Sequence, residues 1–195
     1  LEDHIGYIQI YEFAEVTAAQ YESAFQDLQS QGMERLIVDL RDNPGGLLIS
    51  VCDILEQILP KGLIVYTEDK NGGRKEYTCD GEHELQIPLT VLVNENSASA
   101  SEIFSGAVQD YGIGKLVGTT TYGKGIVQMP IPLTDGSAVK LTIAKYYTPK
   151  GRNIHGTGIQ PDVEVELDEG LRQQVKIEQS EDNQLQKAIE VVKGM

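Results

Sequence analysis

Three serines alternate with alanine in the segment NSASASE, residues 96–102, and each offers a hydroxyl that could act as a nucleophile. Ser99 and Glu102 have the spacing of a capping box, in which a serine at a helix start and the acid three residues later bond to each other's backbone N–H groups. On spacing alone, a helix cap is the commoner explanation. A helix start also has unpaired N–H groups that can stabilise an oxyanion, so a reactive Ser99 would lie beside half of an oxyanion hole.

A serine nucleophile needs a base that takes its proton, and the chain offers histidine or lysine. Of the three histidines, His4 lies near the first residue and His83 in a polar loop region, whereas His155 lies in a loop, GRNIHGTGIQPD, that could border a cleft. A Ser-His-Asp triad therefore stays open. Lys124 lies between two glycines in TTTYGKGIVQ, residues 119–128. A lysine acts as a base only when it is neutral, which requires burial or a neighbouring cation.

A second glycine-rich loop could supply the other donor of an oxyanion hole. The run RLIVDL, residues 35–40, predicts a short buried strand, and it leads into RDNPGG. Glycine lets a backbone amide come close to a substrate carbonyl. The serine segment follows another apolar strand, LTVLVN, residues 89–94. In a parallel sheet both loops lie at the carboxyl ends of strands, where α/β proteins place their sites, so we expect the two loops to meet.

The elements that must position these loops alternate strand and helix in the first third of the chain. Thr17 and Gln20 have the spacing of a capping box for a first helix that ends at Gly32. A second helix is predicted over residues 47–59, and Pro60 ends it. This alternation predicts a βαβα start and a parallel sheet.

Strands dominate the second half of the predicted fold. Residues 62–80 predict a β-hairpin, and the helix that starts at the serine segment is predicted to run to Tyr111. The remaining predicted elements are strands at 115–118, 125–133 and 138–148 and a short extended piece at 159–167. Residues 168–193 are predicted to form one or two polar helices, with an apolar stripe of Leu185, Ile189 and Val192.

Composition limits the classes of function. At 195 residues the chain has the length of one domain, and a formal net charge of -14 argues against nucleic-acid binding, because phosphate contacts need clustered Lys and Arg. Neither an HExxH nor a P-loop motif is present, so we expect no metal and no nucleotide cofactor. Cys52 and Cys79 are too few for a disulfide framework or a zinc site, and Cys52 lies in an apolar run that predicts a core residue.

Taken together, the serine and lysine segments resemble those of the C-terminal processing peptidases, also called tail-specific proteases. NSASASEIFSGAVQD is followed by VGTTTYGKGIVQ, and Lys124 comes twenty-five positions after Ser99, the separation associated with this family. DLRDNPGGLL at 39–48 and LTIAKYYTPKGRNIHGTGIQPDV at 141–163 match as well, as does QLQKAIEVV near the end. The departures are mild: Asn96 stands where glycine is frequent and Tyr122 where phenylalanine is frequent. The resemblance covers almost the whole chain and implies an α/β fold, a ClpP/crotonase-like layering of sheet and helices with a β-hairpin and a strand-rich second half.

The resemblance also implies a role for three side chains. Ser99 would be the nucleophile, Lys124 its general base, and Gln128 would hold Lys124 in its productive orientation. In a flat strand, Lys124 and Gln128 would be about 13 Å apart at about 3.3 Å per residue, too far to touch. The glycines on either side of Lys124 would allow a bulge or turn. We therefore predict that residues 123–128 are not a flat strand.

The oxyanion hole is implied to use two backbone N–H groups. One would come from Ala100 and the other from Gly45 or Gly46, with Gly45 preferred. With these groups the chain would be a serine endopeptidase that hydrolyses peptide bonds near the C-terminus of unstructured proteins through an acyl-enzyme. Ser97 and Ser101 would then be structural.

The resemblance carries three further expectations about the whole protein. In the family a PDZ domain, which binds a chain's carboxyl terminus as an added strand, precedes the segment that begins like GYIQI. It is absent from residues 1–195, so we expect these residues to be a single catalytic core from a longer protein, with 168–195 as a polar helical extension. The full-length protein is expected on the periplasmic or extracellular side of the cell envelope.

Two other functions use the same architecture. One is a non-catalytic module that binds an apolar ligand or a peptide, and the other is an acyl-CoA enzyme of the crotonase type. Intact Ser99 and Lys124 argue against the first, and the combination of the serine and lysine motifs argues against the second.

Overall fold

The computed structural model describes residues 1–174 and 176–195. Helices and strands alternate through most of the first two thirds of the chain, which confirms the α/β class. In chain order the elements are β1 (Ile5–Gln9), α1 (Thr17–Ser30), β2 (Arg35–Asp39), α2 (Leu48–Leu55), β3 (Gly62–Asp69), β4 (Arg74–Cys79), β5 (Leu89–Val93), α3 (Ala100–Tyr111), β6 (Gly114–Gly118), β7 (Ile126–Pro132), β8 (Ala138–Tyr147), β9 (Val163–Glu164) and α4 (Asn183–Lys193).

The first sheet is parallel and carries the two loops of interest. Its strand order is β1-β2-β5-β6-β9, and every neighbouring pair is parallel. All five residues of β5 are buried, as an apolar run in a parallel sheet predicts. Because β2 and β5 are neighbours and run in the same direction, the loops that follow them leave the sheet side by side. The predicted parallel start is confirmed.

The second sheet is antiparallel, with strand order β4-β3-β8-β7. The pairing of β3 with β4 confirms the predicted hairpin at 62–80. The ladder between β7 and β8 shifts register between Val127 and Gln128, which marks a β-bulge. The residues from 129 to 143, which include the ends of both strands and the turn between them, are exposed.

The core lies on both faces of the parallel sheet, because side chains alternate along each strand. On one face, apolar side chains of β2 and β5 pack against α4, and this cluster includes Ile37, Leu92, Leu185, Ala188 and Val192. The opposite face is covered by α1, α2 and α3, and its cluster includes Phe13, Leu36, Val38, Leu55, Val91 and Phe104. The helices therefore form a layer on each side of the sheet, as predicted.

Two predictions about helices are wrong. Thr17 does not cap α1: it is the first helical residue, and its hydroxyl donates to the Glu12 carbonyl at 2.9 Å, in the loop before the helix. Of the described residues in 168–193, only Asn183–Lys193 are helical, because the carboxylate of Asp182 accepts from Leu185 N–H and sets the helix start there. That prediction also covers Val175, which lies outside the described residues. Within the described residues no helix is both long and apolar enough to cross a membrane.

Candidate active site

The serine segment and the glycine-rich loop after β2 are joined by several hydrogen bonds. Ala98 N–H and the Ser101 hydroxyl both donate to the Asn43 carbonyl, each at 3.0 Å. The Ser97 hydroxyl donates to the Leu40 carbonyl at 2.7 Å. The prediction that these loops meet is confirmed, and Ser97 and Ser101 are buried residues that tie them together.

Ser99 has a backbone conformation that residues other than glycine rarely adopt. It precedes the first residue of α3 with φ 57° and ψ -111°. A side-chain-bearing residue at such an angle is strained by about 1–3 kcal/mol and persists only where the surroundings fix it. Strain of this kind concentrates at functional sites, because it holds one side chain in one direction.

Glu102 fixes the Ser99 backbone from inside the protein. Its side chain is fully buried, and its Oε2 accepts a hydrogen bond from Ser99 N–H at 2.9 Å, the bond that a capping box predicts. The same oxygen accepts from Lys124 N–H at 2.8 Å. The other oxygen, Oε1, accepts from the Thr121 hydroxyl at 2.6 Å and from Gly123 N–H at 2.7 Å. One carboxylate therefore binds the serine segment and the lysine segment.

Lys124 lies in the loop before β7, and glycine on each side lets this loop pack closely. The Gly123 carbonyl accepts from Gly156 N–H at 2.9 Å. A Cβ atom on Gly125 would lie 2.6 Å from the backbone nitrogen of His155, so no larger residue fits there without a shift. The Lys124 side chain is half-buried.

Ser99, Lys124 and Gln128 line a single cleft of about 400 Å³. The structure thus brings together the three side chains to which the resemblance gives catalytic roles. Most of the remaining wall is apolar, and its residues are Pro44, Gly46, Leu47, Leu48, Ala100, Ile103, Ile126, Val127, Lys140 and Tyr146. A mostly apolar wall with a few polar groups suits a polypeptide with apolar side chains.

The backbone N–H of Ala100 is available to a ligand. Of the first three amides of α3, those of Ser101 and Glu102 donate to the carbonyls of Ala98 and Ser99. The amide of Ala100 donates to no acceptor in the described part of the chain, as expected for the first residue of a helix. It is therefore suited to stabilise an oxyanion beside Ser99.

The two glycines of the loop differ in what their N–H groups do. Gly45 N–H donates to the Asn43 side-chain oxygen at 2.8 Å, so it is already used within the loop. Gly46 forms a parallel β-bridge with Phe13. In this bridge Phe13 N–H donates to the Gly45 carbonyl, and Leu47 N–H donates to the Phe13 carbonyl. The N–H of Gly46 itself therefore points away from Phe13. Because Gly46 also lines the cleft, this geometry favours Gly46 over the preferred Gly45 as the second donor.

The segment around Gln128 is not a flat strand, as predicted. Residues 123–125 lie outside any strand, as predicted, but Ile126, Val127 and Gln128 belong to β7. The bulge next to Gln128 lies in the ladder with β8. Gln128 faces the cleft, and within the described residues it makes no hydrogen bond to Lys124.

The other candidate base, His155, and the two cysteines lie outside the cleft. The side chain of His155 is exposed and is not part of the cleft wall. Both cysteines are buried, which confirms Cys52 as a core residue. Burial, followed by the charges of Asp53 and Glu56, raises the pKa of the Cys52 thiol to about 12. Neither thiol is placed to act as a nucleophile at neutral pH.

Two residues of the site had no such role in the sequence analysis. Glu102 was predicted to be a capping residue, and an acid beside a run of small residues was the only sequence signal that it does more. Tyr146 of β8 is 2% exposed, and its hydroxyl donates to the Ser99 carbonyl at 3.1 Å. Nothing in the local pattern of AKYYT distinguishes this tyrosine from its neighbour Tyr147.

Comparison with known proteins places these features in a family. The sequence profile of peptidase family S41 matches residues 4–165. The chain is 41% identical over 190 residues to a carboxyl-terminal-processing protease of Synechocystis, an alignment that covers 97% of this chain and 44% of the relative. It is 40% identical over 162 residues to the carboxy-terminal processing protease CtpB of Bacillus subtilis, covering 83% of this chain and 34% of the relative.

A solved structure supports the same relationship. The photosystem II D1 C-terminal processing protease superimposes with a TM-score of 0.78 at 38% identity, covering 83% of this chain and 42% of that one. The chain thus spans less than half the length of each of these three relatives. The profile match includes both loops of the cleft and the start of β7. By sequence and by fold, the chain belongs to peptidase family S41.

Proposed function

We propose that residues 1–195 form the single catalytic core of a serine endopeptidase that cleaves unstructured polypeptides near their C-termini. One observation carries the proposal: Ser99 and Lys124 come from separate loops, line one cleft, and have their backbones bound to the same carboxylate oxygen. The names of the relatives, carboxyl-terminal-processing proteases, support the class of substrate.

The proposed reaction is acyl transfer through a Ser-Lys dyad. Neutral Lys124 takes the proton of the Ser99 hydroxyl, and the resulting alkoxide attacks the carbonyl carbon of the scissile bond. The N–H groups of Ala100 and Gly46 stabilise the oxyanion, and Lys124 returns the proton to the leaving amine. Water then attacks the acyl-enzyme in the same way and releases Ser99. Gln128, on the cleft wall, helps to orient Lys124.

The remaining proposals concern the full-length protein. We propose that a PDZ domain upstream of β1 captures the C-terminal tail of a substrate and that the cleft then cleaves nearby. A position on the outer side of a cell membrane suits this function, as the family resemblance implies. The polar extension at 168–195 would belong to the same catalytic core, because its helix α4 packs on one face of the parallel sheet.

The test compares hydrolysis of fluorescein-labelled casein by the wild type, Ser99→Ala and Lys124→Ala. We expect kcat to fall by about 1000-fold or more in both variants, because the two residues act as one unit. A fluorophosphonate probe should label the wild type and should not label Ser99→Ala. Lys140 is a second lysine in the cleft wall, so Lys140→Ala serves as the matched variant.

The outcomes separate the alternatives. Loss of turnover in Lys140→Ala with turnover kept in Lys124→Ala would assign the base to Lys140 instead. If Ser99→Ala cleaves casein as well as the wild type, the dyad mechanism is wrong. A folded wild type that binds casein without cleaving it would favour a non-catalytic peptide-binding module on this fold.

A further inference from the structure

The Ser99 carbonyl accepts one more hydrogen bond than the helix requires. Glu102 N–H donates to it at 2.9 Å and Ile103 N–H at 3.0 Å, as at the start of any helix. The Tyr146 hydroxyl donates to the same oxygen at 3.1 Å. A carbonyl oxygen has two lone pairs, so the helix already satisfies it. The tyrosine hydroxyl is therefore not needed to pair a buried polar atom.

This carbonyl belongs to the peptide unit that also contains the proposed oxyanion donor. In a planar trans peptide the C=O of one residue and the N–H of the next point in opposite directions. A hydroxyl that holds the Ser99 carbonyl on one side therefore fixes the direction of the Ala100 N–H on the other. Hydrogen bonds in such a chain also polarise one another, which makes the N–H a stronger donor.

Tyr146 is anchored so that it can hold this position. Its N–H donates to the Gly125 carbonyl at 3.1 Å, and its carbonyl accepts from the Asn153 side chain at 3.1 Å. Burial, and then the charge of Glu102, raises the pKa of the Tyr146 hydroxyl well above its usual range, so the hydroxyl keeps its proton. It is also part of the cleft wall, next to the proposed dyad.

We propose that Tyr146 is a positioning residue for catalysis: its hydroxyl holds the strained Ser99 peptide and aims the Ala100 N–H at the oxyanion. This inference rests on the proposed function, because it assigns a task within that reaction. It predicts that the hydroxyl contributes to transition-state stabilisation and contributes little to substrate binding. The ring of Tyr146 fills the core in either case.

The experiment removes the hydroxyl and keeps the ring. With fluorescein-labelled casein, Tyr146→Phe is expected to lower kcat by about ten-fold, less than the loss of a direct oxyanion donor, and to leave KM unchanged. A peptide aldehyde forms an adduct with an oxyanion at the same place, so its Ki should rise by the same factor as kcat falls. Replacing Tyr146 with 3-fluorotyrosine, which keeps the hydroxyl, should restore kcat to within about two-fold.

Tyr147→Phe is the matched control. Tyr147 is the next residue of β8, and its ring stacks on Tyr66 at 4.8 Å, away from the cleft wall. We expect this variant to match the wild type in kcat, KM and Ki. Active-site titration with the fluorophosphonate probe corrects every rate for the fraction of folded, reactive enzyme.

Each outcome decides the matter. If the corrected kcat and the aldehyde Ki of Tyr146→Phe match those of the wild type, or if only the fraction of titratable enzyme falls, the hydroxyl is structural and the inference is overturned. The inference is also overturned if Tyr146→Phe does not fold whereas the 3-fluorotyrosine variant folds and has the kcat of the wild type. The hydroxyl would then have a structural role. Activity in Ser99→Ala would overturn the proposed function itself, which the Tyr146 variants alone would not do.

Discussion

The backbone N–H groups of Ser99 and Lys124 donate to one oxygen, Oε2 of Glu102, at distances of 2.9 Å and 2.8 Å respectively. The two residues belong to different elements, the start of α3 and the loop before β7. One buried carboxylate therefore sets how far apart the backbones of the proposed nucleophile and base lie. Hydrogen bonds to a charged acceptor are about twice as strong as those between neutral groups, so this link is a firm one.

Glu102→Gln should disable the site while keeping the shape of the side chain. Glutamine offers one oxygen and one NH₂ group. An NH₂ group in place of Oε2 would face the N–H groups of Ser99 and Lys124, and in place of Oε1 it would face Gly123 N–H and the Thr121 hydroxyl, which can turn to accept. We expect kcat/KM for casein to fall by about 100-fold, because displacements of about 1 Å in a catalytic site have that effect. Urea titration should show a loss of about 1–3 kcal/mol in the free energy of unfolding.

Glu95→Gln is the control for this change. Glu95 is exposed and accepts one hydrogen bond, from the Thr119 hydroxyl at 3.0 Å. We expect both its activity and its stability to match the wild type. Equal losses in the two variants would show that Glu102 has no special role in joining the segments.

Gly45→Ala should separate the two loops of the site. A Cβ atom on Gly45 would lie 2.7 Å from Cβ of Ser99 and 2.9 Å from the Ala100 nitrogen, closer than packed atoms approach. We expect the rate of fluorophosphonate labelling to fall by about 100-fold as Ser99 is displaced. Gly72→Ala is the matched control, because Gly72 also has a positive φ but has nothing within 4 Å of an added Cβ atom.

The two alanine variants share the backbone strain of a positive φ, about 1–2 kcal/mol. Any difference between them in labelling therefore reports the contact at Ser99. Labelling of Gly45→Ala at the rate of Gly72→Ala would contradict the close packing of the two loops.

Local patterns in the sequence were sufficient for most elements and for the placement of Ser99. The helix from Ala100 to Tyr111 ends where the sequence predicts, because Gly112 adopts the left-handed conformation that closes a helix. Parallel pairing followed from the alternation of strand and helix. From these two facts the meeting of the serine segment with the NPGG loop could be predicted.

What the sequence could not provide were bonds between distant positions. The capping-box spacing predicts the bond between Glu102 and Ser99, three residues away, but its bonds to Gly123 and Lys124 span 21 and 22 residues. The Tyr146 hydroxyl reaches back 47 residues to Ser99. Gln128 lies in the predicted strand, but the sequence did not show that β7 would pair with β8.

Arg41→Ala should destabilise the whole core. Arg41 pairs with Asp39 at 2.6 Å and with Asp182 at 2.8 Å, and both carboxylates are nearly or fully buried. Without the guanidinium, two buried charges lose their partner, which typically costs about 3–5 kcal/mol. The measurement is the free energy of unfolding from urea titration.

Arg35→Ala provides the comparison. Arg35 pairs with Glu34 at 3.5 Å on the surface, where such a pair contributes about 1 kcal/mol or less. If Arg41→Ala lowers the free energy of unfolding no more than Arg35→Ala does, the ion pairs of Arg41 do not stabilise the start of α4 at Asp182.

Thiol reagents should leave proteolysis unchanged. Cys52 and Cys79 are both buried, and burial raises the pKa of each thiol. A raised pKa lowers the fraction of reactive thiolate at neutral pH, so iodoacetamide should modify neither cysteine in the folded protein. The measurement is intact mass together with casein hydrolysis before and after treatment. In urea both cysteines should become modified, and inactivation of the folded enzyme would point to a cysteine in the reaction.

Gln128→Glu tests whether the side chain at position 128 influences the protonation of Lys124. Gln128 and Lys124 line the same cleft, and in the described part of the chain no hydrogen bond joins their side chains. A carboxylate nearby favours the protonated form of a lysine, and only the neutral form can accept the Ser99 proton. The rise of kcat/KM with pH should therefore move to higher pH in Gln128→Glu. Gln29→Glu is the control, because it makes the same change at an exposed position of α1 that is not part of the cleft wall. An unshifted pH profile in Gln128→Glu would remove Gln128 from the mechanism and leave the orientation of Lys124 to Glu102 and the two glycines beside it.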